Sequence, residues 1–127
     1  MVAGLKRLPT DEKLLPTLSN GHLGFTLFSD SIYMNGLYNG KGGLSHRARI
    51  PNWSNVQLAN CASRNINNTQ NCNFTLNTKS GYFMVEYYVA DQFKVIHLIY
   101  AHRFYNRAII NQFFIHRLQS KGELLSC

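Results

Sequence analysis

Acidic residues are scarce: six Asp and Glu stand against thirteen Lys and Arg in 127 residues, and charged residues make up only 15% of the chain. So low a charge content excludes a coiled coil and a disordered tail, both of which need far more. It also leaves little for acid–base chemistry. An enzyme working with two carboxylates across a cleft has only Asp11, Glu12, Asp30, Glu86, Asp91 and Glu123 to draw on. Asp11 and Glu12 sit near the start and Glu123 near the end, Asp30 and Asp91 fall where Asp is ordinary turn chemistry, and Glu86 alone lies in an apolar run. No catalytic residue is expected in this chain.

Long apolar runs are missing too. The longest candidate, Val95 to Ala101, is interrupted by His97 and falls far short of the roughly 18 residues of a spanning helix, so no membrane partner is expected. Met1 to Arg7 shows neither an apolar segment nor a small-residue cleavage pattern, which makes a cytoplasmic chain the expectation, with a secretory or lysosomal one left open. Cysteine is sparse as well: Cys61, Cys72 and Cys127 form no C-x-x-C pair, so no zinc site and no complete disulfide framework is expected, and Cys61 and Cys72 pair only if the chain is exported. Three sequons, at Asn52, Asn67 and Asn73, accept glycans only in the secretory pathway, and among fourteen asparagines some arise by chance.

What is abundant is strand chemistry. Apolar residues reach 45% and aromatics 13%, in a length that supports one domain core. Residues 1–22, with Pro9, Pro16 and Asn20-Gly21, read as a lead-in segment, and 119–127 as a tail. Between them the pattern predicts strands over Leu23–Phe28 and Ser31–Tyr38, joined through Ser29-Asp30 as a hairpin, and over Asn55–Cys61. Asn39 to Gly43 carries three glycines and reads as a loop, as does the asparagine-rich stretch Ser63–Asn73. A meander follows: Phe74–Asn77, Tyr82–Val89, Phe93–His102 and Ala108–Leu118, rich in Tyr, Phe, Val and Ile. Several of these runs are apolar on both faces, where a half-wet sheet would alternate. With no long helix to cover them, a second sheet must, which gives an all-β chain forming an antiparallel β-sandwich.

The remaining motifs are weak. His97 and His102 are five apart and point to opposite faces of a strand, so no metal site is expected among the five histidines, and no cofactor is implied. The glycines of residues 36–43 match neither G-x-G-x-x-G nor G-K-[ST], and no helix follows to hold an anion. Lys79 to Tyr87 approaches an RNA-recognition consensus but has Ser80 before Gly81, Phe83 at the small-residue position and Met84 at the central aromatic, which removes the stacking platform. The basic residues are spread along the chain, so no nucleic-acid partner is expected.

Three segments carry a family resemblance: Leu15-Pro16-Thr17-Leu18-Ser19-Asn20-Gly21-His22-Leu23-Gly24; Gly36-Leu37-Tyr38-Asn39-Gly40 leading to Ser45-His46-Arg47-Ala48; and Ile99-Tyr100-Ala101-His102-Arg103. In this order and spacing they resemble the N-terminal region of acid trehalase-like proteins, the protein-glucosylgalactosylhydroxylysine glucosidases of glycoside hydrolase family 65. The resemblance spans about residues 8–118 and leaves out the asparagine-rich stretch and the tail. It implies a larger super-sandwich, of which residues 23–118 form part, followed by an (α/α)6 barrel that is absent here. It implies an inverting hydrolysis of glucose from glucosyl-galactosyl-hydroxylysine of collagen-like proteins, with the acidic pair on that barrel. The expected partners are then the barrel domain and, through the parent, its glycan substrate. The residues of this chain expected to approach the sugar are Tyr38, Asn39, His46 and Arg47, on the glycine-rich segment and its flanks. The alternative from a different class is a stand-alone carbohydrate-binding or protein-interaction domain, with an aromatic row drawn from Tyr82, Tyr87, Tyr88 or Trp53.

Overall fold

The computed structural model describes residues 2–5, 8–56, 72–89 and 92–118. Its elements in order are β1 (Val2–Leu5), a 3-10 turn (Glu12–Leu14), β2 (Thr17–Ser19), β3 (Leu23–Thr26), β4 (Ser31–Met34), β5 (Tyr38–Lys41), β6 (Leu44–Arg47), β7 (Ile50–Pro51), β8 (Cys72–Asn77), β9 (Tyr82–Val89), β10 (Phe93–Ala101) and β11 (Ile109–Arg117). All pairings are antiparallel: a five-stranded sheet in the order β1-β8-β9-β10-β11, a four-stranded sheet β2-β3-β4-β7, and a two-stranded ribbon β5-β6. The chain is all-β and sandwich-like, as its composition predicts.

Strand alternation decides what is buried. Phe83, Val85 and Tyr87 of β9 point one way together with Val95, His97, Ile99 and Ala101 of β10, and all seven are buried. They meet Leu18 of β2, Phe25 of β3 and Leu27, the opposite layer of one core that Cys72 and Phe74 of β8 complete. Phe83 is its centre, 1% exposed, stacked on Phe74 at 6.2 Å and met edge-on by Phe28 at 6.4 Å. Phe28 holds a left-handed backbone at φ 59. That conformation costs roughly 1–2 kcal/mol, offset here by packing of the partly buried ring against Phe83 and by Asn55, whose Nδ2 donates to the Phe28 carbonyl at 3.1 Å.

Several expectations are corrected. The lead-in supplies β1 and β2, so it is part of both sheets. Asn39 to Gly43 is not a loop throughout: Asn39, Gly40 and Lys41 lie in β5, and only Gly42 and Gly43, at φ 68 and 85, make the turn. Two successive positive φ values are what a two-residue hairpin turn of the right twist requires. Cys72 and Asn73 belong to β8 and not to the preceding loop. Of the strand expected over Asn55–Cys61, Asn55 and Val56 are irregular and the rest lies outside the described residues, as does most of the asparagine-rich stretch. The second sheet covers only one face of the first; on the other, Met84, Ile96 and Leu98 are half-buried among Glu86 and Lys94, which pair at 2.8 Å. Cys72 is disulfide-bonded, and the chain's other two cysteines lie outside the described residues.

The one buried histidine of the core is neutral. His97 is 1% exposed, stacks on Phe113 of β11 at 4.1 Å, and shares a 2.8 Å hydrogen bond between its Nε2 and Asn111 Oδ1. Because Asn111 Nδ2 donates to the Ser54 carbonyl at 3.1 Å, its Oδ1 must accept, so Nε2 carries the proton. Burial, partly opposed by that hydrogen bond, holds the His97 pKa below its ordinary 6.5. The unfolded chain therefore binds a proton that the folded chain refuses, and stability is full above pH 6.5 and falls as pH drops below it. Urea midpoints taken between about pH 8 and pH 5 are expected to decline in the native chain and to flatten in His97→Gln; an unchanged slope in the variant contradicts the assignment.

Candidate functional site

The three segments that carry the family resemblance meet at one end of the sandwich. The turn between β2 and β3 is an asparagine turn: Asn20 Oδ1 accepts from the backbone N–H of His22 at 2.9 Å and of Leu23 at 2.8 Å, and Gly21 takes φ 88. The same side chain's Nδ2 donates to two carbonyls of the loop between β10 and β11, those of His102 at 2.8 Å and Asn106 at 2.9 Å. One amide thus staples residues more than eighty positions apart. His102 orders the loop from within, its Nδ1 accepting from the N–H groups of Phe104 at 3.1 Å and Tyr105 at 2.9 Å. Phe104 and Tyr105 are left 84% and 67% exposed on this fixed tip.

The third segment leaves from the same place. The His22 carbonyl accepts from Asn35 N–H at 2.7 Å, and from there Gly36 turns the chain into the β5–β6 ribbon, closed at its base by Ala48 N–H donating to the Leu37 carbonyl at 3.1 Å. A side chain on Gly40 would overlap the Leu44 carbonyl, so the close approach of the two strands depends on glycine there. The ribbon's residues are exposed along its whole length.

Of the sequence-derived sugar contacts, all four lie on this ribbon, as two cross-strand pairs: Tyr38 opposite Arg47 and Asn39 opposite His46. Alternation puts the pairs on opposite faces, so the four do not converge on one ligand. Of the expected aromatic row, Tyr82 and Tyr88 share the outer face of the large sheet, Trp53 is 92% exposed in a separate turn, and Tyr87 is 5% exposed and points into the core. Sequence reading did not single out Asn20, His22 and His102 as a cluster. Their signal was present in the quoted segments, but the contact between them is non-local. His22 Nε2 is buried and has no hydrogen-bond partner among the described residues.

Charge is uneven. Lys79 and Arg103 meet at this end, the Arg103 guanidinium donating to the Lys79 carbonyl at 3.4 Å, Arg107 lies on the same loop, and Lys41 and Arg47 project on the ribbon. The described carboxylates lie elsewhere. Asp30, at the opposite end of the β3–β4 hairpin, bonds Ser31 Oγ at 2.7 Å and Arg49 at 2.9 Å, and these two partners hold its carboxyl below its ordinary value. Glu86 pairs with Lys94 in the middle of the large sheet, and Asp11 caps the 3-10 turn. Among the described residues no group of three His, Cys, Asp or Glu is placed to hold a metal.

The mouse protein-glucosylgalactosylhydroxylysine glucosidase is 37% identical to this chain over 112 residues, 87% of the chain. The chain is a relative of the protein-glucosylgalactosylhydroxylysine glucosidases. The chicken glucosidase is 36% identical over 95 residues and that of Dictyostelium discoideum 36% over 55, which cover 75% and 37% of this chain. The match occupies 16%, 13% and 8% of the mouse, chicken and Dictyostelium glucosidases, so the chain spans only a small part of each. No family model and no solved structure matches it.

The Asn20 staple is testable. Asn20→Ala leaves two carbonyls and two N–H groups to water, and is expected to cost roughly 1–3 kcal/mol in urea unfolding and to raise amide exchange across residues 102–108. A loss within the roughly 0.5 kcal/mol of an ordinary surface change contradicts the staple.

Proposed function

We propose that this chain is the N-terminal sandwich portion of a glucosidase that removes glucose from glucosylgalactosyl-hydroxylysine, and that it positions the substrate while another domain performs the hydrolysis. The observation that carries the reading is the 37% identity to a glucosidase of that name across 87% of the chain. The disposition of the carboxylates supports the division of labour. Inverting hydrolysis needs a proton-donating acid and a water-activating carboxylate roughly 6.5–9.5 Å apart, the acid with a raised pKa. Asp30 has the opposite shift, Glu86 is paired with Lys94, and Asp11 is a cap. The family 65 resemblance implies that the acidic pair is carried by an (α/α)6 barrel of the parent chain, and the engagement of Asp30, Glu86 and Asp11 in other contacts is consistent with that.

Within the sandwich, the ribbon is the part that reaches a neighbouring domain. Its Tyr38–Arg47 face suits a sugar: an exposed ring offers an apolar surface to a pyranose face, and the guanidinium beside it donates to hydroxyls. Asn39 and His46, on the other face, hydrogen-bond the domain on which the ribbon lies.

In the full-length parent, Tyr38→Ala and Arg47→Ala are each expected to raise KM for glucosylgalactosyl-hydroxylysine by roughly 3- to 10-fold with kcat little changed, the worth of one exposed contact. Unaltered kinetics in both contradict the ribbon's role. Glucose release by residues 1–127 alone contradicts the division of labour, and sugar affinity of those residues without any parent activity favours a stand-alone binding domain.

A further inference from the structure

We infer that Asn73 is an N-glycosylation site and that this chain matures in the secretory pathway. Asn73-Phe74-Thr75 is a sequon, and β8 presents it so that recognition and packing do not compete. Cys72 and Phe74 on either side are buried, and Asn73 between them is exposed. Its side chain stands on the face of the five-stranded sheet that the small sheet leaves open, across from Glu86 on β9. A glycan there projects into solvent and displaces nothing from the core.

The sequon at Asn52 differs. Asn52 Nδ2 donates to the Ser29 carbonyl at 2.9 Å, while its Oδ1 accepts from Ser54 N–H at 3.0 Å and Ser54 Oγ at 2.7 Å. That amide and its sequon hydroxyl are built into the turn. The third sequon, Asn67-Asn68-Thr69, lies outside the described residues.

An independent observation points to the same compartment. Cys72, the residue next to Asn73, is disulfide-bonded. Stable disulfides form where the environment is oxidising, in the lumen in which asparagine-linked oligosaccharides are also attached, and are rare in the cytosol. Neither observation depends on the glucosidase reading, and together they run against the cytoplasmic expectation drawn from Met1 to Arg7.

The co-substrate is a lipid-pyrophosphate-linked oligosaccharide. Asn73 Nδ2 attacks the anomeric carbon, the N–C bond forms as the C–O bond to pyrophosphate breaks, the lipid pyrophosphate leaves, and the amide gives up one proton. Thr75 supplies the hydroxyl that the sequon requires.

The test uses the protein isolated from its natural source. Thiols are alkylated before reduction, N-glycans are cleaved by an asparagine amidase in heavy-oxygen water, and the peptide around Asn73 is read by mass spectrometry. The expected result is aspartate carrying heavy oxygen at position 73, a Cys72 that alkylates only after reduction, and an unlabelled Asn52. In secretory expression, Asn73→Gln and Thr75→Ala each remove one glycan step in mobility, and Thr75→Ser retains it. An unlabelled Asn73 overturns the site, whatever the other sequons carry, and a Cys72 that alkylates without reduction overturns the compartment.

Discussion

A histidine in the middle of an apolar layer constrains this molecule. His97 sits where its neighbours on the same face of β10 are Val95 and Ile99, and an unpaired polar atom at that depth costs roughly 1–3 kcal/mol. Asn111, diagonal to it on β11, meets that demand, and Asn111 in turn holds the Ser54 carbonyl. The residues around Ser54 grip the β3–β4 turn, through Asn52 to the Ser29 carbonyl and Asn55 to the Phe28 carbonyl. The path therefore begins in one sheet and ends in the other. Hydrophobic burial between the layers has no direction, and this chain of hydrogen bonds adds one: it fixes how the small sheet sits on the large one.

At the other end of the hairpin a second polar residue, Asn20, performs the same kind of work. The two links brace the sandwich at both ends of β3 and β4. The exposed features of the upper end, the Phe104-Tyr105 tip and the ribbon, are thereby carried on a rigid base. Under the division of labour proposed above, such a base would hold the positioning groups in place, since small displacements of a positioning group are expensive in rate.

Legibility in the sequence followed locality. Tyr82–Val89 matched its strand because aromatic and β-branched residues fill it and Lys79-Ser80-Gly81 punctuates it, and β10 and β11 were found within a residue at each end for the same reason. In the glycine-rich stretch composition suggests only a loop, whereas Gly40 lets two strands approach and Gly42-Gly43 reverse them. Tyr38, Asn39, His46 and Arg47 share one segment of the sequence, but their division between two faces depends on a register that the sequence does not state. The partner of His97 lies fourteen residues away, where no local pattern announces it, because strand pairing brings β11 beside β10. The Asn20–His102 contact was illegible for the same reason at greater range.

The claim on which this account rests is that His97 and Asn111 are a satisfied pair and not two independent core residues. A double-mutant cycle measures this directly. His97→Phe and Asn111→Leu each leave the other's polar atom buried and unpaired, whereas the double variant removes both. The account predicts that the double variant is less destabilised than the sum of the singles by roughly 1–3 kcal/mol in urea unfolding. Additive losses would contradict it.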